Sequence, residues 1–194
     1  MKKFFKFGCG GLIALIILGV IIAALGGGDN STKDKEDGKQ PASTDVGKKD
    51  NKEKVVGIGT ALEVGDAIFT LNGVELADQV GPSVLPKKAS GKYVVLDVTY
   101  KNNGNKAVTI DASFFKLKRG EKTYESDSVA SMSANQGDDG NIQNSFFLQE
   151  VNPDMEIKGK VVFDLAPEVA EATDLQLQVQ TGIFGTETGL INLK

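Results

Sequence analysis

Lys92-Tyr93-Val94-Val95-Leu96-Asp97-Val98-Thr99-Tyr100-Lys101 decides the fold. Val94, Leu96, Val98 and Tyr100 alternate with Tyr93, Val95, Asp97 and Thr99, and the second set ends polar, the period of two that a β-strand with one buried face requires. Asn102-Asn103-Gly104-Asn105 follows, and its Asn-Gly pair suits the positive φ angles of a tight hairpin, so the stretch from Ala107 to Ile110 is expected to return alongside.

The same period recurs on both sides. Glu156 to Leu165 sets Ile157, Gly159, Val161, Phe163 and Leu165 against Glu156, Lys158, Lys160, Val162 and Asp164. Leu175, Leu177 and Val179 alternate with Gln176, Gln178 and Gln180. Phe115 and Leu117 oppose Phe114, Lys116 and Lys118, and Arg119-Gly120-Glu121 turns the chain into Thr123-Tyr124. Ala67 to Leu76 is a strand with a bulge or bend at Asn72-Gly73. Ile142 to Leu148 and Ile183 to Leu193 complete the set, and Pro167 to Ala172 reads as a helical turn. Two polar stretches, Asp78 to Gly91 and Glu125 to Asn141, read as loops. Seven or more strands without long amphipathic helices between them predict an all-β chain, an antiparallel immunoglobulin-like β-sandwich over residues 55–194.

What precedes the sandwich is different material. Phe7 to Gly28 holds 22 residues without a charge, after Lys2, Lys3 and Lys6. As a helix it spans about 33 Å, against a hydrocarbon core of about 30 Å. Residues 1–28 therefore read as a transmembrane anchor with its N-terminus in the cytoplasm, or as a cleaved secretory signal, for which Ala24-Leu25-Gly26 offers small residues at the cleavage positions. Cys9, the only cysteine, lies before the apolar run, whereas a lipid-bearing cysteine follows it, so Cys9 reads as a small apolar residue of the segment. Asp29 to Lys54 carries seven Lys and seven Asp or Glu around a single large aliphatic residue, Val46, the composition of a flexible charged linker.

Composition narrows the chemistry. Histidine is absent, which removes histidine-based nucleophile triads and almost every zinc or copper site. From Val55 onward 12 Lys/Arg face 19 Asp/Glu, a net charge of −7 that argues against nucleic acid as a partner. Ser113-Phe114-Phe115-Lys116 fits the S-x-x-K pattern of penicillin-binding proteins and serine β-lactamases, with Ser133-Ala134-Asn135 and Gln180-Thr181-Gly182 as loose second and third elements. That chemistry needs Ser and Lys one turn apart on a helix. On the strand expected here, residues three apart point to opposite faces. Asp138, Asp139 and Asn141 around Gly140 offer oxygen ligands to calcium, but not at EF-hand spacing, and the same residues make a good turn. With no Trp and three Tyr the chain is poorly furnished to stack sugars for glycoside hydrolysis. No catalytic, metal-ligating or cofactor-binding residue is assigned, and no cofactor is expected.

Gly91-Lys92-Tyr93-Val94-Val95-Leu96-Asp97-Val98-Thr99-Tyr100-Lys101-Asn102-Asn103-Gly104 resembles a signature strand of a bacterial domain family of unknown function. Val64-Gly65-Asp66 with Phe69 to Glu75 resembles its first strands. Val151-Asn152-Pro153-Asp154-Met155-Glu156 through Val161-Val162-Phe163-Asp164-Leu165 is similar to a later segment, with Asp154 and Met155 in place of a short glycine turn. The resemblance covers about residues 60–180. It implies a telokin-like, immunoglobulin-like sandwich related to a mycobacterial secreted immunoprotective antigen, surface-exposed or secreted, with no active site to carry over. The expectation is a non-enzymatic interaction module on the outer face of a bacterial plasma membrane, bound to the membrane through its N-terminal helix and to an unknown protein or envelope component. The alternative is a secreted soluble effector or antigen-like protein, and a distant third is an envelope hydrolase.

Overall fold

The computed structural model describes residues 54–144, 146, 148–181 and 187–194. The expected anchor or signal over 1–28, and all of the expected linker but Lys54, lie outside the described residues. Among those residues no helix is long and apolar enough to cross a membrane.

Among the described residues eleven strands form two facing sheets and a short flap. The five-stranded sheet has the order β1 (Val55–Val56), β11 (Glu187–Asn192), β10 (Gln176–Thr181), β6 (Phe115–Arg119), β7 (Lys122–Glu125). The four-stranded sheet has the order β2 (Leu62–Val64), β3 (Ala67–Val80), β4 (Lys87–Asn102), β9 (Glu156–Leu165). β5 (Val108–Ile110) and β8 (Gln149–Val151) pair as the flap. Two short helices, α1 (Ser128–Ala134) and α2 (Pro167–Ala170), complete the described residues. The sandwich expectation therefore holds, with one amendment: β1 runs parallel to β11, Val55 opposite Leu190.

Alternation builds the core as read. Val94, Leu96, Val98 and Tyr100 of β4 and Val161, Phe163 and Leu165 of β9 face Phe115, Leu117, Leu177, Val179 and Ile191 across the sandwich, all buried. Phe69 makes edge-on ring contacts to Tyr100 beside it in the same sheet, at 5.3 Å, and to Phe115 across the sandwich, at 6.1 Å. The bulge at Asn72-Gly73 is present, as a register shift between Leu71 and Gly73.

Four local expectations are corrected. Asn102 to Asn105 makes no hairpin. Instead the buried Asn102 side chain donates to the carbonyls of Lys106 (2.7 Å) and Val151 (2.9 Å) and accepts from the Gly104 N–H (3.0 Å). It so bends the chain away from β4, and Val108 pairs with Val151. Asp78 to Gly91 is not a loop throughout, because β3 and β4 stay paired to Val80 and Lys87. Glu125 to Asn141 contains α1, started by the Asp127 carboxylate accepting from the Ala130 N–H at 2.8 Å. The described residues of Ile142 to Leu148 form no strand: Ile142 makes an isolated bridge to Gln136, and the next described residue to enter a named strand pair is Gln149.

The second and third corrections share a cause. Tyr93 and Val95, on the face of β4 turned away from the sandwich, are buried with Val80, Val162 and Ala130 in a second apolar cluster beneath α1. A strand buried on both faces shows no polar half to its alternation.

Candidate functional site

The far end of the β3–β4 hairpin is the most prominent apolar feature of the described surface. Its turn reads Gly81-Pro82-Ser83-Val84-Leu85-Pro86. Val84 is 82% exposed and Leu85 78%, more than any other large apolar side chain among the described residues. Water contact of that extent offers no folding stabilisation, so these two residues cost the domain solubility without helping its core.

The turn is held from several sides. Within it, the Leu85 N–H donates to the Pro82 carbonyl at 3.1 Å, and Pro82 itself is buried. Gly81 has φ +99°, and a Cβ there would collide with the Ser133 side chain of α1, so glycine is required twice over. The Asp138 carboxylate accepts from the Ser83 N–H at 2.7 Å across 55 residues of sequence. At the base, Lys87 Nζ lies 2.9 Å from Asp127 Oδ2. The hydrogen bond to Asp127 holds the Lys87 ammonium pKa above its ordinary value, against a desolvation that works to lower it. Burial pushes the Asp127 carboxyl up, but the Ala130 N–H and Lys87 outweigh it and its pKa lies below the usual value. Two exposed apolar side chains thus stand on a turn fixed by hydrogen bonds, prolines and an ion pair.

The Asp138 loop is engaged in the same work. Asp139 Oδ1 accepts from the Asn141 N–H and Oδ2 from the Asn141 amide, both at 3.0 Å, and those bonds hold its pKa low. With Asp138 committed to Ser83, the carboxylates serve the backbone around them. Among the described residues no three Asp, Glu, Cys or His side chains gather as a metal site.

The S-x-x-K elements do not converge. Ser113 sits in a 3-10 turn (Ala112–Phe114) with its hydroxyl buried and without a hydrogen-bond partner among the described residues. Lys116 projects from β6 to Glu125, 3.0 Å away. Ser133 donates to the Val80 carbonyl at 3.5 Å, and Asn135 is bound to β9. Gln180 and Thr181 lie on β10, and Gly182 lies outside the described residues. A cleft of about 370 Å³ at one end of the sandwich is lined by Asp66, Tyr100, Asn102 and Glu187. Burial alone pushes the Tyr100 phenol pKa up, leaving it a neutral hydroxyl.

The hairpin tip escaped the sequence reading because it lies inside a stretch dominated by Pro, Ser, Gly and Lys. Its signal was present: two large apolar residues bracketed by Pro82 and Pro86, with no alternation to bury them.

Comparison with known proteins places this architecture. A family model described as a domain of unknown function (DUF4352) matches residues 56–188, which spans the sandwich from β1 into β11. The chain belongs to the DUF4352 family. This DUF4352 domain is 31% identical over 120 residues to the uncharacterized protein YxkC of Bacillus subtilis, a match covering 60% of this chain and 66% of that one. The match therefore leaves about a third of that relative's length outside it. Among solved structures, the yjhA protein of Bacillus subtilis is similar with a TM-score of 0.50 at 13% identity, over 72% of this chain and 99% of that one. An uncharacterized β-sandwich protein of Clostridium difficile gives 0.45 at 16% identity, over 84% and 100%. The secreted protein MPT63 of Mycobacterium tuberculosis gives 0.47 at 13%, over 72% and 97%. At these identities the likeness concerns the fold.

Proposed function

We propose that this DUF4352 domain is a non-enzymatic, extracytoplasmic interaction module, held at the outer face of a bacterial plasma membrane by residues 1–28, with the β3–β4 tip as its contact element. The observation that carries the reading is the stapled exposure of Val84 and Leu85. A turn fixed before binding loses little conformational entropy on binding, which is what a recognition element needs. The partner is a protein or envelope component with an apolar recess. A non-enzymatic role fits a chain without histidine whose Ser113 and Lys116 each have other surroundings.

Two measurements test it. A photo-crosslinking residue at Val84 in living cells is expected to give discrete adducts that Leu85→Ser abolishes, while the same probe at Lys122 gives none. Equal adducts at both positions would overturn the contact element. Cell fractionation tests the address: full-length protein in alkali-washed membranes supports the anchor, and a species in the medium beginning near Gly27 supports the secreted alternative.

A further inference from the structure

β9 is the outer strand of the four-stranded sheet, and ten residues make it long for an unpaired edge. Alternate residues of such a strand turn their N–H and C=O outward, here including Lys158, Lys160 and Val162. Helix α1 meets two of the three. The Asn135 side-chain amide donates to the Lys160 carbonyl and accepts from the Lys160 N–H, both at 2.8 Å. Ser131 Oγ accepts from the Val162 N–H at 2.9 Å, and the Asp127 N–H donates to the Val162 carbonyl at 2.8 Å. Asp127, Ser131 and Asn135 are spaced by four, so one side of the helix offers β9 the donors and acceptors that a neighbouring strand's backbone would offer. α1 imitates a strand.

It is also short. Its seven residues, Ser-Val-Ala-Ser-Met-Ser-Ala, include three serines, and only Ala130 is fully buried. A helix of that length has no stability of its own. A small cavity of about 20 Å³ flanks it on one side, lined by Ser131, Met132 and Phe146. An open cleft of about 410 Å³ lies at its C-terminal end, with Asn135, Gln143 and Lys158 in its walls. Among the described residues no hydrogen bond reaches the outward N–H and C=O of Lys158.

We propose that α1 is a displaceable guard on the edge of β9, and that the uncovered edge pairs antiparallel with β9 of a second copy of this chain. The edge is self-complementary. An antiparallel pair centred on Val161 sets Lys158 opposite Asp164 of the other copy, twice by symmetry, and Lys160 opposite Val162. Lys158 and Lys160 are exposed and make no ion pair among the described residues. Asp164, which accepts from the N–H groups of Ser90 (2.7 Å) and Gly91 (3.0 Å), lies on the same face of β9.

The test is sedimentation of the full-length protein beside Ser131→Ala/Asn135→Ala, with circular dichroism confirming the fold. The double variant is expected to associate as a dimer at least tenfold more tightly than the parent. Adding Lys160→Pro, which removes an outward N–H and none of the bonds to β4, returns it to the parent's behaviour. A folded double variant no more associated than the parent overturns the proposal, as does a dimer indifferent to proline. Should the double variant fail to fold, hydrogen exchange on the parent decides. The Lys160 and Val162 amides are expected to exchange at least a hundredfold faster than those of Val161 and Phe163, and equal protection would show that α1 does not leave short of global unfolding.

Discussion

The two sheets share one core and differ in what lies behind them. Behind the five-stranded sheet there is solvent along most of β10, which turns the part-exposed Gln176 and Gln178 away from the core, and Gln176 bonds laterally to Asn192 at 2.8 Å. Behind the four-stranded sheet lies a second layer, where Tyr93, Val95 and Val162 are buried beneath α1. Their edges differ in the same sense. β7 ends its sheet with four residues, whereas β9 ends its sheet with ten and has a helix bonded along it. A long strand at an edge calls for a cover, and a short one does not.

The comparison breaks most visibly at Tyr93. It is wholly buried in the second layer and donates to the Lys88 carbonyl at 3.0 Å. Tyr93→Ala is expected to lower stability by about 3–5 kcal/mol in urea unfolding, the loss of a core aromatic. A loss under about 1 kcal/mol would mean that the layer beneath α1 is decoration. Gly159→Ala probes the place where β9 faces the sandwich: an added Cβ would stand 3.1 Å from the Phe146 ring, which must shift. The expected cost is about 1–3 kcal/mol, by the same unfolding measurement.

Asp127 sharpens the comparison on the guarded side alone. Asp127→Ala removes the helix cap and the Lys87 pair, with an expected cost of about 1 kcal/mol and faster exchange at the Lys160 and Val162 amides. The pH dependence follows the same group. Its folded pKa lies below the unfolded value, so its stabilisation is present above the unfolded pKa and is lost as pH falls through the folded one. Protection from exchange at Val162 should therefore fall on acidification below the ordinary aspartate range, before protection on β10 responds. The smallest effect belongs to the bare face: Gln178→Ala is expected to change stability by less than about 0.5 kcal/mol.

This contrast also explains what was legible in the sequence. β10 and the inner face of β9 could be read residue by residue, because apolar residues recur there at every second position against mostly polar neighbours. The Asn72-Gly73 bulge was legible because glycine interrupts an otherwise regular strand. α1 was not: Ser128 to Ala134 offers only Val129 and Met132 as large apolar residues, the side chain it buries is Ala130, and its place is fixed by polar groups whose partners lie some 30 residues away on β9. Asn102 carried a turn signal that was sound as chemistry and wrong as topology, since its amide serves Val151, 49 residues on. The apolar tip at Val84-Leu85 was hidden for the opposite reason, being apolar where burial would give no periodicity.

The pairing of β1 with β11 imposes an order in time. Val55 meets Leu190 at a separation of 190 − 55 = 135 residues, the longest closure in the sandwich. A chain emerging N-terminus first produces one partner at the start and the other at the end. The outermost seam of the five-stranded sheet must therefore wait until nearly all of the domain has left the ribosome, and a machine that threads unfolded chains has that interval in which to take hold of it.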